Sequence, residues 1–336
     1  MTGAGASIFR RLMPQIITLG VVLLLNVILF PSFFDVSVQN GRFYGSIIDV
    51  LNRGAPVALI AIGMTLVIAT KGIDLSVGAV IAICGAVAAA AITGGCSLPA
   101  TVALALAVGI ACGVWNGFLV SVLNIQPIIA TLVLMVAGRG IAQLVTEGAI
   151  LTFDHPGLIF IGSGSAFYMP MPVVIWILFG IAVTLLVRKT ALGLLVEAIG
   201  VNRRASQLSG VKTTALIMAA YVLSGLCAAI AGLIVAADIK GADANNAGLW
   251  LELDAILAVV VGGNSLLGGR FSIVGSLLGA MIIQAINTGI LTSGFPPEYN
   301  LIIKAVIIVV ILIIQSPRLS DLVQFVKSRR SGEPAK

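Results

Sequence analysis

The sequence predicts an all-α polytopic membrane protein, and long stretches without charge are the main reason. Residues 75–138 hold 64 consecutive positions without Asp, Glu, Lys, Arg or His, whereas about 20 apolar residues are enough to cross a bilayer. Residues 156–187 and 271–297 are also free of charge. Of the 336 residues, 59% are hydrophobic and 10% are charged, against about 25% charged in soluble domains. This composition excludes an ordinary soluble domain.

Breaks made of Gly, Pro, Asn and charged residues divide the chain into about ten transmembrane helices. The predicted helices cover residues 14–33, 55–70, 74–93, 99–121, 127–146, 171–187, 215–236, 251–264, 271–291 and 299–315. The eighth is barely long enough to cross, so a broken or re-entrant segment is the alternative there. We expect a single transmembrane domain over residues 1–336, spanning the membrane from 14 to 315, with residues 316–336 as a cytoplasmic tail.

The basic residues are distributed unevenly between the alternate loops of this arrangement. One set of loops and ends carries 14 of the 19 Lys and Arg residues and the other carries three, while Arg139 and Lys304 lie within predicted helices. Because cytoplasmic loops are enriched in Lys and Arg, both termini are predicted to be cytoplasmic. Basic residues at helix ends also explain the net charge of +6 without a nucleic-acid partner. Lipid is the expected neighbour of the helices.

The largest cytoplasmic loop, residues 188–214, is predicted to hold two short helices. The first covers residues 191–199, with Gly200 as its expected stop in a left-handed conformation. The second covers residues 203–208 and is expected to end at Ser209 and Gly210. Short helices on the face of a membrane protein have two interpretations. They lie at the lipid headgroups, or they dock into a groove on a soluble partner.

A charge within the fifth predicted helix marks a first candidate site. Arg139 is costly at membrane depth, and such a residue usually faces a cavity or a partner. Gln143 lies one turn further and is expected to point the same way. Hydrogen bonds to neighbouring carbonyls and a role on a translocation pathway are equally compatible with this position.

Two carboxylates begin the eighth predicted helix, after a polar loop on the outer side. Glu252 and Asp254 are two positions apart, so they face different sides of a helix, and no nucleophile or metal-ligand spacing accompanies them. An enzymatic role is therefore not expected. Helix capping is one interpretation, and an entrance or a docking site for a soluble protein is the other. The entrance or docking site would also include the loop residues Asn245, Asn246 and Trp250.

Asp74 stands at the predicted start of the third helix, with Ser76 beside it. An Asp at this position accepts hydrogen bonds from the first free N–H groups of a helix and complements the positive helix end. We therefore predict that Asp74 caps the third helix.

Three blocks of sequence resemble the permeases of ABC sugar importers of the ribose, xylose and galactose type, within the superfamily of branched-chain amino acid permeases. Residues 71–78, KGIDLSVG, are similar to the family signature GGIDLSVG, with Lys71 where the family usually has Gly. Residues 252–269, ELDAILAVVVGGNSLLGG, resemble a second signature, ELDAIAAVVIGGTSLxGG. Residues 197–211, EAIGVNRRASQLSGV, resemble the coupling loop that inserts into the ATPase subunit.

The resemblance implies roles for individual residues. The structural signature corresponds to Gly72, Asp74, Ser76 and Gly78. The ATPase-coupling residues correspond to Glu197, Ala198, Gly200, Asn202, Arg203, Ala205, Ser209 and Gly210.

The resemblance also implies a complex in the bacterial inner membrane. The fold would be of the type II-like importer class. Its partners would be an ABC ATPase subunit, a second permease subunit and a periplasmic sugar-binding protein. The chain has no phosphate-binding motif, so no cofactor is expected on it, and ATP and Mg²⁺ would bind the ATPase. Residues 54–70, 238–250 and 293–298 are most similar to the galactofuranose-type subfamily. Another sugar, or an ion-coupled secondary transporter, is the alternative.

Overall fold

The apolar stretches form helices in the computed structural model, which describes residues 3–39, 41–294 and 297–315. The α-helices within these residues are α1 (Gly3–Leu29), α2 (Ser46–Arg53), α3 (Ala55–Ala69), α4 (Val77–Thr93), α5 (Leu98–Ser121), α6 (Pro127–Val145), α7 (Pro156–Ser163), α8 (Met171–Lys189), α9 (Leu192–Val201), α10 (Arg203–Leu208), α11 (Thr213–Ile239), α12 (Leu251–Val261), α13 (Ile273–Thr292) and α14 (Pro297–Gln315). A 3-10 helix, Pro31–Phe34, follows α1. The predicted tail, residues 316–336, lies outside the described residues.

Each of the ten predicted helices has a counterpart in the structure, and most ends differ by a few residues, although the first helix begins at Gly3 and not at residue 14. The counterparts are α1, α3, α4, α5, α6, α8, α11, α12, α13 and α14. The first ends at Leu29 rather than at residue 33, because Pro31 opens the 3-10 helix. The third begins at Val77 rather than at Asp74.

Not every counterpart is long enough to cross a bilayer alone. Six of the described helices are long and apolar enough to do so, and a seventh span results if α2 and α3, which meet at a 42° bend, are one unit. Helix α3 has 15 residues and is about 22 Å long, short of a hydrocarbon core of about 30 Å. All 15 residues of α3 are buried. Such a short helix is tolerated because protein, and not lipid, surrounds its ends.

The sequence did not predict two helices and six short strands. Helix α2 contains Asp49, Asn52 and Arg53 and so escaped a search for apolar stretches, while α7 has only eight residues. Three antiparallel pairs tie the loops together. They are β1 (Ser37–Gln39) with β2 (Arg42–Tyr44), β3 (Leu151–Thr152) with β6 (Gly241–Ala242), and β4 (Ser165–Ala166) with β5 (Met169–Pro170).

Helix α11 lies in the centre of the molecule and touches α5 backbone to backbone. A Cβ atom on Gly109 would lie 2.6 Å from the carbonyl oxygen of Gly225, and one on Gly113 would lie 2.5 Å from the carbonyl oxygen of Tyr221. Small residues allow this approach, which is how helices associate in lipid. By contrast, α1, α5, α6 and α8 expose much of their apolar surface, and this surface faces lipid in a membrane.

The α5–α11 contact yields a test by substitution. Gly113→Ala should lower the free energy of unfolding by about 1–3 kcal/mol, because overpacking against rigid backbone has that cost. The clashing atoms would include the Cα atom of Val222, at 2.7 Å. Thermal unfolding of the purified protein in detergent measures the change.

Gly140→Ala on α6 is the matched control. No heavy atom of the described part of the chain lies within 4 Å of a Cβ at Gly140, and Ala favours a helix over Gly by about 0.5–1 kcal/mol. The midpoint temperature of thermal unfolding of this variant should equal that of the parent protein or be slightly higher. Equal midpoints for the two variants would contradict the packing argument.

Candidate functional site

A polar cleft opens where the ends of α2, α3, α8, α11 and α13 meet. Its volume is about 300 Å³. The polar side chains that line it are Asn52, Arg53, Asp238, Gln284 and Asn287. They come from three separate parts of the chain, so the cleft is a product of the tertiary fold.

The chemistry of this cleft suits a hydroxylated solute. The Oδ1 atoms of Asn52 and Asn287 are buried and have no hydrogen-bond partner among the described residues. Buried polar atoms usually have a partner, so these two oxygens are free to accept hydrogen bonds from hydroxyl groups. Arg53 and Asp238 add one charge of each sign.

None of the cleft residues was a candidate from the sequence. A signal was present in α13, since Gln284 and Asn287 carry amide side chains three positions apart, and thus lie on one face of a mostly apolar helix. The sequence alone could not show that Asn52 and Arg53 of α2 and Asp238 of α11 lie beside this face of α13.

Arg139 holds the loop that follows β6. Its Nη1 atom donates hydrogen bonds to the carbonyl oxygens of Ala244 at 3.0 Å and Ala247 at 2.6 Å. The Nε2 atom of Gln143 donates to Oδ1 of Asn245 at 2.7 Å. The two side chains therefore point the same way, as predicted. These contacts match the structural interpretation of Arg139, and its pathway role stays a prediction.

Asp243 organises the same loop, and the sequence analysis missed it. Its Oδ2 atom accepts a hydrogen bond from the side chain of Asn246, and its Oδ1 atom accepts from the backbone N–H groups of Asn245 and Asn246. These bonds, with the Asn246 side chain first and the charge of Arg139 last, hold the pKa of Asp243 below its usual value. The ionised carboxylate of Asp243 thus fixes the turn that carries the exposed residues Asn245 and Asn246.

Glu252 and Asp254 do face different sides of α12. Glu252 is 4% exposed and packs against Gly78, where a Cβ atom would collide with its Oε2 atom. This contact explains why the signature position 78 is a glycine. No side chain caps α12, whose N-cap residue is Trp250 in a left-handed conformation with φ 66°.

Asp254 forms an ion pair with Lys304 of α14. The Nζ atom lies 2.5 Å from Oδ1 and 2.7 Å from Oδ2, and the two side chains are 12% and 10% exposed. Trp250 is close by and 51% exposed. The residues predicted as a pathway or entrance therefore divide into two groups, one around Arg139 and one around Lys304, and neither lines the polar cleft.

Asp74 does not cap α4, contrary to the prediction. The N-cap residue is Ser76, and no side chain caps the helix. Asp74 is instead a buried junction: Oδ1 accepts from the hydroxyl and the N–H group of Ser76 at 2.6 and 3.1 Å, and Oδ2 accepts from Ser224 on α11 at 2.8 Å. Asn116 of α5 donates to Ser76 at 2.8 Å. The carboxylate thus joins three helices, which sequence spacing could not indicate.

Positions 71 and 72, shortly before Asp74, have different structural requirements: the backbone conformation at the first and the available space at the second. Lys71 adopts φ 66°, a left-handed conformation that glycine adopts at less cost, and it replaces a glycine of the signature. Its Nζ atom donates to the carbonyl of Val201 at 3.3 Å. At Gly72 space is the limit, since a Cβ atom would lie 2.6 Å from the hydroxyl of Tyr221.

The 188–214 loop forms the two predicted helices, α9 and α10, but the role of Gly200 differs. Gly200 lies inside α9, and the helix ends one residue later, with Asn202 extended at φ −152°. A Cβ atom on Gly200 would collide with the carbonyl oxygen of Ala69 and the N–H group of Gly269. The glycine is required for this close approach to α3 and not for a turn. The predicted end of α10 is confirmed by Gly210 at φ 83°.

Further contacts fix the shape of this loop. The side chain of Asn202 caps α10 by accepting from the N–H group of Ala205 at 3.0 Å, and Ser209 donates back to the carbonyl of Ala205 at 3.0 Å. The N–H group of Asn202 donates to the carbonyl of Ala198. Arg203 donates to the carbonyl of Ser121 at the end of α5. Glu197 faces a second polar cavity.

Large apolar side chains on the loop remain exposed. Leu194, Val201 and Leu208 are 73%, 70% and 85% exposed. Exposed large apolar side chains on a loop that also carries Arg203, Arg204 and Gln207 are typical of a contact with another protein.

Comparison with known proteins identifies the family. A family model described as "Branched-chain amino acid transport system / permease component" matches residues 46–312. The chain belongs to this family. It is a multi-pass protein of the inner membrane and a transport component.

The similar proteins include permeases for several sugars. The chain is 61% identical to the galactofuranose transporter permease protein YtfT of Escherichia coli, over 94% of this chain and 93% of that one. It is 38% identical to the fructose import permease protein FruF of Bifidobacterium longum, over 97% and 95%. It is 36% identical to the ribose import permease protein RbsC of Escherichia coli, over 94% and 98%. No solved structure matches the chain.

The ion pair of α12 and α14 is open to a direct test. Lys304→Met should lower the free energy of unfolding by about 3–5 kcal/mol, because it leaves the carboxylate of Asp254 buried and unpaired. Thermal unfolding in detergent and the yield of folded protein measure the loss.

The double variant Asp254→Leu with Lys304→Met is the control. Replacing both charges with apolar groups removes the unpaired carboxylate, so stability should return close to that of the parent. A double variant as unstable as Lys304→Met would show that the carboxylate is not the cause.

Proposed function

We propose that this chain is the membrane-spanning permease subunit of an ABC importer for a monosaccharide, with galactofuranose as the favoured sugar. The observation that carries the proposal is the 61% identity with a galactofuranose permease over 94% of this chain. The polar cleft supports it, because a sugar needs hydrogen-bonding groups within an otherwise apolar domain. Ribose, xylose, fructose or galactose is the alternative substrate.

We propose ten crossings with both termini in the cytoplasm. The uneven distribution of Lys and Arg supports this orientation, and complete burial of α3 explains how a short helix can be a crossing. In this orientation the polar cleft opens to the periplasm, and α9 and α10 lie at the cytoplasmic face. Residues 1–336 would then form one permease domain.

The exposed surface of α9 and α10 is the proposed docking site for the ATPase subunit. Leu194 and Leu208 present apolar area for burial in a groove. ATP and Mg²⁺ would bind that subunit and not this chain. Movement of α9 would reach the membrane domain directly, because Gly200 packs on Ala69 at the end of α3 and on Gly269.

A complete importer needs two more partners. A second permease subunit, related or identical to this chain, would complete the pathway. A periplasmic sugar-binding protein would deliver the sugar, and the exposed Asn245 and Asn246 of the fixed turn are the proposed contact or entrance. The pathway role of Arg139 belongs to the same proposal.

Uptake by reconstituted vesicles tests the function. Vesicles that contain this chain with its ATPase and binding-protein partners should accumulate galactofuranose only when ATP is supplied, and collapse of the proton gradient should have no effect. Ribose and fructose serve as competitors to define the sugar. Uptake that follows the proton gradient without ATP would establish an ion-coupled transporter instead.

The polar cleft can be tested in the same vesicles. Asn287→Leu should lower the uptake rate by roughly threefold to tenfold, because it removes a hydrogen bond of about 0.5–1.5 kcal/mol to the sugar. Thr93→Val, at the end of α4 and away from the cleft, is the control and should leave uptake unchanged. Normal uptake by an assembled Asn287→Leu complex would remove the cleft from the pathway.

The docking surface has its own test. Leu208→Ser should reduce co-purification of the ATPase with the tagged permease by about tenfold, since it exposes a hydroxyl where a groove is expected to bury a large apolar side chain. The conservative variant Leu208→Met should retain binding.

Labelling of Leu208→Cys, in a chain with Cys96 and Cys112 replaced by Ser, checks the orientation independently. A thiol reagent that cannot cross membranes should label it in opened cells and not in intact cells. Labelling in intact cells would contradict a cytoplasmic position for α10, and unchanged co-purification with Leu208→Ser would contradict the docking surface.

A further inference from the structure

A third cavity, distinct from the polar cleft and from the cavity that Glu197 faces, lies between α9, α10 and the ends of the membrane helices. Its volume is about 250 Å³, and the ends of α3, α5, α6 and α11 also line it. Two of its lining side chains are cations, Lys71 and Arg203, and no carboxylate of the described residues lines it. We propose that this cavity binds a phosphate group, either of an anionic lipid headgroup or of a free phosphate.

One buried hydroxyl indicates that the cavity takes a ligand. Tyr221 is fully buried at 0% exposed and lines the cavity. Its hydroxyl oxygen has no hydrogen-bond partner among the described residues. A buried tyrosine hydroxyl usually finds a partner, and a phosphate oxygen would accept a hydrogen bond from it.

The cations are placed to complete such a site. Arg203 donates one bond to the carbonyl of Ser121 at 3.3 Å, while its Nε atom is buried and has no partner among the described residues. Lys71 uses one of its three N–H groups on the carbonyl of Val201. Guanidinium and ammonium groups with free N–H bonds are strong donors to phosphate oxygens.

The start of α6 contributes a third positive element. Gln126 and Pro127 line the cavity, and they are the N-cap and first residue of this 19-residue helix. The first N–H groups of a helix have no intrahelical partner, and the positive end of the helix dipole favours an anion. The nearby carboxylate of Asp74 accepts bonds from Ser76 and Ser224, and the hydroxyl of Tyr221 does not donate to it in the described residues.

The test measures protection of a thiol at the mouth of the cavity. The full-length chain carries Gln126→Cys, with Cys96 and Cys112 replaced by Ser, and its rate of modification by a thiol reagent is followed. One arm adds inorganic phosphate in detergent, with chloride at equal ionic strength as reference. The other compares nanodiscs of phosphatidylglycerol with nanodiscs of phosphatidylcholine. Protection by phosphate identifies a free phosphate as ligand, and protection by phosphatidylglycerol alone identifies a headgroup.

Two variants and a matched control decide the outcome. Arg203→Gln should weaken the protecting affinity by about tenfold, and Tyr221→Phe by roughly fivefold. Arg204→Gln, on the next residue of α10 and outside the cavity, should leave the affinity unchanged. Absence of protection in both arms, or equal losses for Arg203→Gln and Arg204→Gln, overturns the proposal. The measurement does not involve transport, so its result is independent of the proposed sugar.

Discussion

The close contact of α11 with its neighbours is the constraint on which the rest of the structure depends. Helices in lipid gain little from the hydrophobic effect when they associate, so they rely on close packing. A Cβ atom on Gly63 of α3 would lie 2.6 Å from the Cα atom of Ser224, and one on Gly232 would lie 2.6 Å from the carbonyl of Ile81 on α4. Because α11 is fixed on several sides in this way, the polar groups at its two ends have defined neighbours.

Three buried or half-buried charges show how distant parts of the chain hold one another, since each has a partner from another part of the sequence. Asp74 uses hydroxyl and amide donors, Asp254 uses the cation of Lys304, and Arg139 uses carbonyl oxygens. Charges at membrane depth are expensive without such partners. These contacts also connect α4 with α11, α12 with α14, and α6 with the loop after β6, so the charged residues define the arrangement of helices as well as any route through them.

The sequence was sufficient for the long apolar helices because apolar length is a local property, whereas it did not predict the short helices α2 and α7. It was insufficient wherever a role depends on a distant neighbour. Gly200 was expected to end a helix, but the carbonyl of Ala69 is the reason for its lack of a side chain. Asp74 was expected to cap α4, but the hydroxyl of Ser224 lies 150 positions away in the chain. The polar cleft could not be assembled from the sequence, since Gln284 and Asn287 mark one face of α13 but α2 and α11 add only one or two polar residues each from distant parts of the chain.

Helix α3 links the two ends of the molecule. Its first residues follow Arg53 and include Pro56, and both of these residues line the polar cleft. At its other end, the carbonyl of Ala69 accepts a hydrogen bond from the N–H group of Gly269 at 2.9 Å and touches Gly200 of α9. Since α3 is buried along its whole length and close-packed interiors transmit displacement, a shift of α9 must either move α3 or break its contacts with α11. A short helix that no lipid touches is therefore the most direct mechanical connection between the loop at one face and the cleft at the other.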